Sequence, residues 1–227
     1  QLTDRLLFQD PETLELSPWI ATEMPQVNQD ATEYTFNVRT DVTYSDGTPM
    51  TTENIVRNFD LFGLGDKDRR LSSSEQISNY ERGEAVDEDT VKFYFSAPAP
   101  GFLQATSTYN AGLLSDSTLD FDDEGFGPGN ATQVIGSGPF VVESEKIGTD
   151  LMLRTREDYD WAPPATEHQG RASVDGVHYI LASEESVRTG AIISGQADIA
   201  RQISAPQEPL LREKGVDIVS RGTTSVT

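Results

Sequence analysis

The sequence predicts a mixed α/β fold in which strands outnumber helices. Apolar and polar residues alternate over residues 34–38 and 91–95, which is the two-residue period of a half-buried strand. Between these segments, Ile55, Phe59 and Phe62 recur at the spacing that places them on one face of a helix. Since strands are joined both directly and through helices, we expect a mixed sheet flanked by helices.

The first half of the chain predicts a loop, short strands and one well-defined helix. Residues 11–20 contain two prolines and predict a loop with a short apolar turn. Residues 42–44 predict a short strand that follows the first one. The hydroxyl of Thr51 can accept a hydrogen bond from a free backbone N–H, so it predicts the start of the helix. Gly63 and Gly65 predict its end.

The rest of the chain predicts short elements separated by loops. Residues 120–139 are rich in glycine and acidic residues and predict a long loop. The other predicted strands are residues 83–86, 140–143, 151–154, 174–181, 198–200 and 216–219. The other predicted helices are residues 74–80, 102–106 and 210–214, and one that is capped by Ser183 and ended by Gly195.

The composition excludes several classes of protein. The 227 residues include 38 acidic and 17 basic side chains, for a net charge of −21. A body this acidic repels phosphate backbones and anionic membrane surfaces, so we expect no nucleic-acid partner. No apolar run approaches the ~20 residues of a membrane span. The absence of cysteine excludes disulfides, thiolate zinc sites and cysteine catalysis.

The motifs that carry catalytic chemistry are missing. The chain has neither a Gly-x-Ser-x-Gly nucleophile elbow nor a phosphate-binding P-loop. His168 and His178 fit a loop and a strand better than a ligand pair. Residues 120–125 imitate the first half of a calcium loop, but Ala131 stands where that loop needs a bidentate acid. We therefore predict no catalytic residue, no metal site and no cofactor, and a binding protein rather than an enzyme.

Several segments resemble one known family. YTFNVR at residues 34–39 and VTYSDGTPMTTENIV at residues 42–56 resemble the signature of the extracytoplasmic solute-binding proteins of family 5, the peptide/nickel-type binding components of ABC importers. Residues 85–91, 135–140, 156–161 and 194–200 resemble further family segments, in the same order along the chain. These motifs consist of turn, cap and core residues, so they identify the fold without identifying the ligand.

The resemblance implies a periplasmic-binding-protein-like lobe. The family has two lobes that enclose the ligand, and the resemblance covers the first of them. We therefore expect a truncated first lobe, with the second lobe absent from this chain. Residues 1–47 with 131–227 would form a larger subdomain around a mixed sheet. Residues 48–130 would form a smaller α/β subdomain inserted into it.

The resemblance also implies a function. We expect the protein to capture a solute, in the first instance a short peptide, outside the membrane in the periplasm or at the cell surface, and to deliver it to permease subunits. We expect a monomer that is held at the membrane only by a lipid anchor outside this chain. The expected substrate-binding residues come from the opening segment, the loop after the inserted hairpin and the hinge. They are Arg5, Phe8, Tyr109, Asn110 and Arg221.

Two other functional classes stay open at this point. Some transcription regulators carry the same fold as a ligand-sensing domain, and the segment that precedes residue 1 would distinguish the two. An acidic hydrolase is the second alternative, although no nucleophile motif supports it. Within the importer class, nickel chelates, haem and oligosaccharides are alternatives to a peptide.

Overall fold

The computed structural model describes residues 2–219, in which runs of two to four strands are separated by helices. The strands are β1 (Leu7–Gln9), β2 (Leu16–Pro18), β3 (Gln26–Val27), β4 (Glu33–Asn37), β5 (Tyr80–Ala85), β6 (Thr90–Phe95), β7 (Phe140–Lys146), β8 (Asp150–Thr155) and β9 (Gly176–Ile180). The helices are α1 (Thr52–Leu64), α2 (Phe102–Ala105), α3 (Asp116–Leu119), α4 (Glu185–Ile193) and α5 (Glu208–Glu213). The predicted α/β class is confirmed.

The described strands form three sheets. β1 and β2 form an antiparallel pair in which Phe8 lies opposite Ser17. Four strands form a second sheet in the order β3-β4-β6-β5, with antiparallel pairs throughout. The third sheet has the order β7-β8-β9, and β7 and β8 form an antiparallel hairpin. Neighbours in the sequence are thus often neighbours in a sheet.

The main core lies on one face of the four-stranded sheet. The alternation along β4 and β6 turns Tyr34, Phe36 and Phe93 to the same side, where they are almost fully buried. Phe102 of α2 lies at the centre of this cluster. Its ring centroid is 4.7–6.1 Å from those of Tyr34, Phe36, Phe59, Phe93 and Phe95. Such edge-to-face and tilted pairs add to the stabilisation from burial.

Helix α1 begins at the predicted cap and ends at Gly65 as predicted, whereas Gly63 lies inside its last turn. The Thr51 hydroxyl accepts a hydrogen bond from the backbone N–H of Asn54 at 3.2 Å, and so caps the first turn. Gly65 follows the last turn with φ +67°, which a residue with a side chain rarely adopts. A Cβ atom at Gly65 would also lie 2.6 Å from the carbonyl oxygen of Leu71.

Some predicted local elements are wrong. Residues 42–44 form only an isolated antiparallel bridge, Thr43 with Pro49, across the tight turn at Gly47, and do not extend into a strand. Residues 198–200 and 216–219 are irregular rather than extended strands. The residue that caps α4 is Glu184 and not Ser183. The apolar and polar patterns at these sites are too short to fix a strand against competing turns.

The chain divides into two compact units. The first ends at Tyr179 and the second begins at Ile180. The second unit contains α4 and α5. In it, the Arg188 guanidinium donates to the carbonyls of Ala182, Ser183 and Gln202 at 2.7–3.0 Å. The subdomain boundaries expected near residues 47 and 130 stay a prediction. Within residues 2–219, no helix combines the length and the apolar character that a membrane span requires.

The N-terminal segment is bonded on both sides within the first unit. The carbonyl of Leu2 accepts from the N–H of Gly138 at 2.9 Å, and the carbonyl of Asp4 accepts from the N–H of Leu113 at 2.9 Å. The approach is close, because a Cβ atom at Gly136 would lie 2.0 Å from the carbonyl oxygen of Leu2. A side chain at position 136 would therefore collide with the backbone of the N-terminal segment.

Gly136→Ala should destabilise the protein by about 2–3 kcal/mol, since the collision is with backbone that cannot turn away. The matched control is Gly101→Ala. Gly101 has φ −79° and no atom within 4 Å of an added Cβ, so that variant should stay within about 0.5 kcal/mol of the parent. Urea unfolding midpoints of the two variants and the parent measure the difference. Equal midpoints for both variants would contradict the close packing of Leu2 against Gly136.

Candidate functional site

The structure brings together two of the segments from which the candidate binding residues were predicted. The Arg5 guanidinium donates through Nη1 to the carbonyl oxygen of Ser107 at 2.8 Å. Four residues further along, the side-chain amides of Gln9 and Gln104 exchange hydrogen bonds at 2.8 and 3.1 Å. The opening segment and the segment that contains Tyr109 are therefore adjacent, although about a hundred residues separate them in sequence.

Trp19 joins Arg5 to Phe8. The guanidinium carbon of Arg5 lies 4.8 Å from the centroid of the indole ring, which is the geometry of a cation–π contact. The ring of Phe8 meets the same indole edge-on at 6.2 Å between centroids. Trp19 is itself fixed, because its Nε1–H donates to the carbonyl of Trp161 at 3.1 Å. Arg5 is thus held by a ring face and a carbonyl together.

Tyr109 and Asn110 lie on a single turn of 3₁₀ helix, Tyr109–Ala111, at the surface. Tyr109 is 84% exposed, which is unusual for a large aromatic side chain. Thr108, just before it, is anchored by a hydrogen bond to the Gln76 side chain at 3.0 Å. The turn therefore presents an aromatic ring, a phenol and an amide from a fixed backbone.

We call Arg5, Phe8, Tyr109 and Asn110, together with the buried Trp19 that Arg5 and Phe8 contact, the Arg5 surface. Four of these residues were expected from the sequence. Trp19 was not, because residues 11–20 were interpreted as a loop, whereas they include β2, which pairs with β1 and brings Trp19 beside Phe8. The fifth predicted residue, Arg221, lies outside the described residues.

Beneath the Arg5 surface, Asp4 is fully buried and bonded. Its carboxylate accepts hydrogen bonds from the Trp161 indole N–H at 2.8 Å and the Tyr159 hydroxyl at 3.1 Å. Its backbone N–H donates to the hydroxyl of Ser137 at 3.1 Å. Burial raises the pKa of Asp4, and the three side-chain hydrogen bonds oppose that rise only in part.

Arg156 extends this buried network. Its guanidinium is almost fully buried and donates to the carbonyl and hydroxyl oxygens of Thr43, both at 2.9 Å, and to the carbonyl of Ser137 at 3.3 Å. Its ion pair with the exposed Asp158, at 2.8 Å, lowers the pKa of that carboxyl. Residues 135–140 and 156–161, two of the segments that carry the family resemblance, therefore meet at Asp4 and Arg156.

Other side chains that could serve in catalysis or metal binding form hydrogen bonds or ion pairs elsewhere. His168 bonds to the carbonyl of Arg171 at 2.7 Å. In the acidic loop after α3, Asp120 pairs with Arg57 and Glu124 with Arg70. Over residues 2–219, no three His, Asp or Glu side chains are grouped as a metal site would require.

Two cavities lie away from the Arg5 surface. A cavity of about 200 Å³ lies between the end of α1 and Leu119, and is lined by Arg57 and Arg69 among others. A second, of about 370 Å³, is lined by Phe126, Pro128 and their neighbours in the acidic loop. The two arginines that line the first are already paired, Arg57 with Asp116 and Asp120, and Arg69 with Asp66.

The fold is that of an extracellular solute-binding protein, and the sequence narrows this class to one family. Residues 15–227 match the family described as bacterial extracellular solute-binding proteins, family 5 (middle region). The chain belongs to this family, which confirms the resemblance found in its motifs.

Individual relatives are more distant. The chain is 28% identical over 209 residues to the probable D,D-dipeptide-binding periplasmic protein of Escherichia coli K12. This match covers 89% of this chain and 37% of that protein. It resembles the oligopeptide-binding protein AppA of Bacillus subtilis in complex with a nonapeptide, with a TM-score of 0.78 and 19% identity over 93% of this chain and 40% of the other. It also resembles AgaA from A. tumefaciens R10 in complex with agropinic acid, with a TM-score of 0.76 and 24% identity over 93% and 40%. The chain thus spans about two fifths of the length of these relatives.

Asp4→Asn should destabilise the protein by about 1–3 kcal/mol, because the new amide N–H₂ meets a donor where the carboxylate accepted a hydrogen bond. The raised pKa adds a pH dependence. The stability that protonated Asp4 contributes is fully present below the unfolded value of about 3.9 and is lost as the pH rises through the higher folded value. The amide of the variant does not titrate, so the advantage of the parent over the variant should be larger at pH 4.5 than at pH 7.5.

Urea unfolding at the two pH values measures this difference. The control is Asp30→Asn at an exposed position, which should change the free energy of unfolding by less than about 0.5 kcal/mol. An advantage of the parent that grows between pH 4.5 and 7.5 would show that the pKa of Asp4 is not raised.

Proposed function

We propose that this chain is the first lobe of the solute-binding component of an ABC importer. In the whole protein it captures a solute outside the membrane and delivers it to permease subunits. The observation that supports this most is the family match over residues 15–227, together with a chain that spans about two fifths of the length of its relatives. A lipid anchor outside this chain would keep the protein, as a monomer, at the membrane.

A short peptide is the proposed solute. Relatives support this class: one is a probable D,D-dipeptide-binding protein, another, 21% identical over 202 residues, is the glutathione-binding protein of E. coli K12, and AppA holds a nonapeptide. NikZ of Campylobacter jejuni has a similar fold and is in complex with Ni(L-His). The fold alone therefore does not select peptides. The selection would come from side chains on the two facing lobes.

The proposed mechanism is enclosure without bond chemistry. Tyr109 offers a ring face for apolar side chains and a hydroxyl for a peptide group, and Asn110 offers both a donor and an acceptor. These groups are solvent-exposed on this lobe, where a second lobe that closes over them would exclude water. The larger subdomain, residues 1–47 with 131–227, would carry Arg5 and Phe8. The smaller one, residues 48–130, would carry Tyr109 and Asn110.

Mass spectrometry of the co-purified solute tests the function directly. The full-length protein, purified gently and then denatured, should release short peptides. The 227-residue chain treated in the same way should release none, because a single lobe cannot enclose a ligand. Release of a non-peptide solute would overturn the peptide assignment and leave the importer. A full-length protein that releases nothing and shows no melting shift with a peptide library would contradict the importer.

Tyr109→Ala should weaken binding of the released solute to the full-length protein about 5- to 30-fold, in the range for an aromatic contact residue. Because Tyr109 is exposed, the melting temperature without solute should not change. Val86→Ala is the control, since Val86 is a 49% exposed apolar residue in the turn between β5 and β6. Titration calorimetry measures both variants, and equal affinities would remove Tyr109 from the site.

A further inference from the structure

Arg5 differs from most arginines in residues 2–219 in having no ion pair with an acidic side chain of that range. Among residues 2–219, eight of the twelve arginines lie within 4.0 Å of a carboxylate oxygen. Of the other four, Arg154 and Arg201 are exposed to water, and Arg188 bonds to three carbonyls. Arg5 is half-buried against the Trp19 ring and makes one hydrogen bond, to the carbonyl of Ser107.

The neighbouring Asp4 does not form an ion pair with Arg5. Its carboxylate is bonded to Trp161 and Tyr159 in the interior instead. Burial lowers the pKa of the Arg5 guanidinium, and the charge of Asp4 opposes that change only in part. Desolvating a cation that has no acidic partner costs free energy, so the position of Arg5 needs another explanation.

The segment that packs against Arg5 carries no charge. Residues 93–115 contain no Asp, Glu, Lys, Arg or His, although 24% of the whole chain is charged. The polar side chains of this segment, such as Gln104, Thr108 and Asn110, are neutral. This segment therefore contributes no carboxylate to the surroundings of Arg5, whereas the protein as a whole has a net charge of −21.

The guanidinium is also oriented in advance. Its Nη1 bond to Ser107 and its contact with the Trp19 face fix the plane of the group. Its Nε and Nη2 atoms have no acceptor among residues 2–219. A planar guanidinium fork with free donors matches the two oxygens of a carboxylate.

We propose that Arg5 binds a carboxylate of the solute, so that the site selects solutes that carry one. This rests on the proposed solute-binding function and narrows its substrate class. The terminal carboxylate of a short peptide is one such group, and a non-peptide organic acid is another. Trp19 is a positioning residue in this arrangement, because it holds the guanidinium.

The test compares two forms of one probe on the full-length protein. The probe is a pool of tripeptides of Ala, Val, Leu, Phe and Tyr, made with a free terminal carboxylate and again with a terminal amide. The acid pool should bind at least about tenfold more tightly than the amide pool. Arg5→Gln should weaken binding of the acid pool by about 10- to 100-fold and leave binding of the amide pool nearly unchanged. Arg5→Lys, which keeps the charge without the fork, should fall between the parent and Arg5→Gln.

Arg154→Gln is the matched control, since Arg154 is exposed on β8 and has no ion pair within the described residues; it should bind both pools as the parent does. Equal binding of acid and amide pools by the parent would overturn the role of Arg5 and leave the importer standing, and that comparison needs no variant to fold. A co-purified solute without an acidic group would do the same. No binding of either pool and no released solute would overturn the proposed function, and the role of Arg5 with it.

Discussion

Asp4 is buried completely, and its carboxylate is kept there by the indole of Trp161 and the hydroxyl of Tyr159. A buried carboxylate without such partners would cost several kcal/mol, so residues more than 150 positions apart must meet at this point. The backbone N–H of Asp4 donates to the hydroxyl of Ser137 in the loop before β7. The Arg156 guanidinium donates to the carbonyls of both Ser137 and Thr43, and so connects that loop to Thr43. The N-terminal segment, the loop before β7 and the segment after β8 thus form one unit.

The Arg5 surface depends on this network. Arg5 follows Asp4 directly in the chain, and its guanidinium lies against the Trp19 ring and bonds to the carbonyl of Ser107. Trp19 is tied to the same place, because its indole donates to the carbonyl of Trp161. The positions of Arg5 and Trp19 are therefore tied to a buried polar cluster, whose central carboxylate is fully buried.

The sequence was sufficient where structure is local. The cap at Thr51, the stop at Gly65 and the alternation along β4 and β6 each depend on neighbours in the chain, and all were predicted. The family motifs also have a physical explanation now, since residues 135–140 and 156–161 supply the partners of Asp4. What could not be predicted depends on distant contacts: the place of Trp19 follows from a three-residue strand pair, β1 and β2, that is too short to leave a pattern.

The acidity of the protein bears on what the Arg5 surface can recognise. At physiological salt, charges more than about 8 Å apart are largely screened, so a net charge of −21 does not by itself prevent an anion from binding at one point. What matters is the local environment, and residues 93–115 provide one that is free of charge for 23 positions. Elsewhere, acidic residues pair with most of the arginines and neutralise them. Among residues 2–219, Arg5 and Arg188 are half-buried arginines without an ion pair. Arg188 donates to three backbone carbonyls, whereas Arg5 donates to one, which is why Arg5 carries the proposed selectivity.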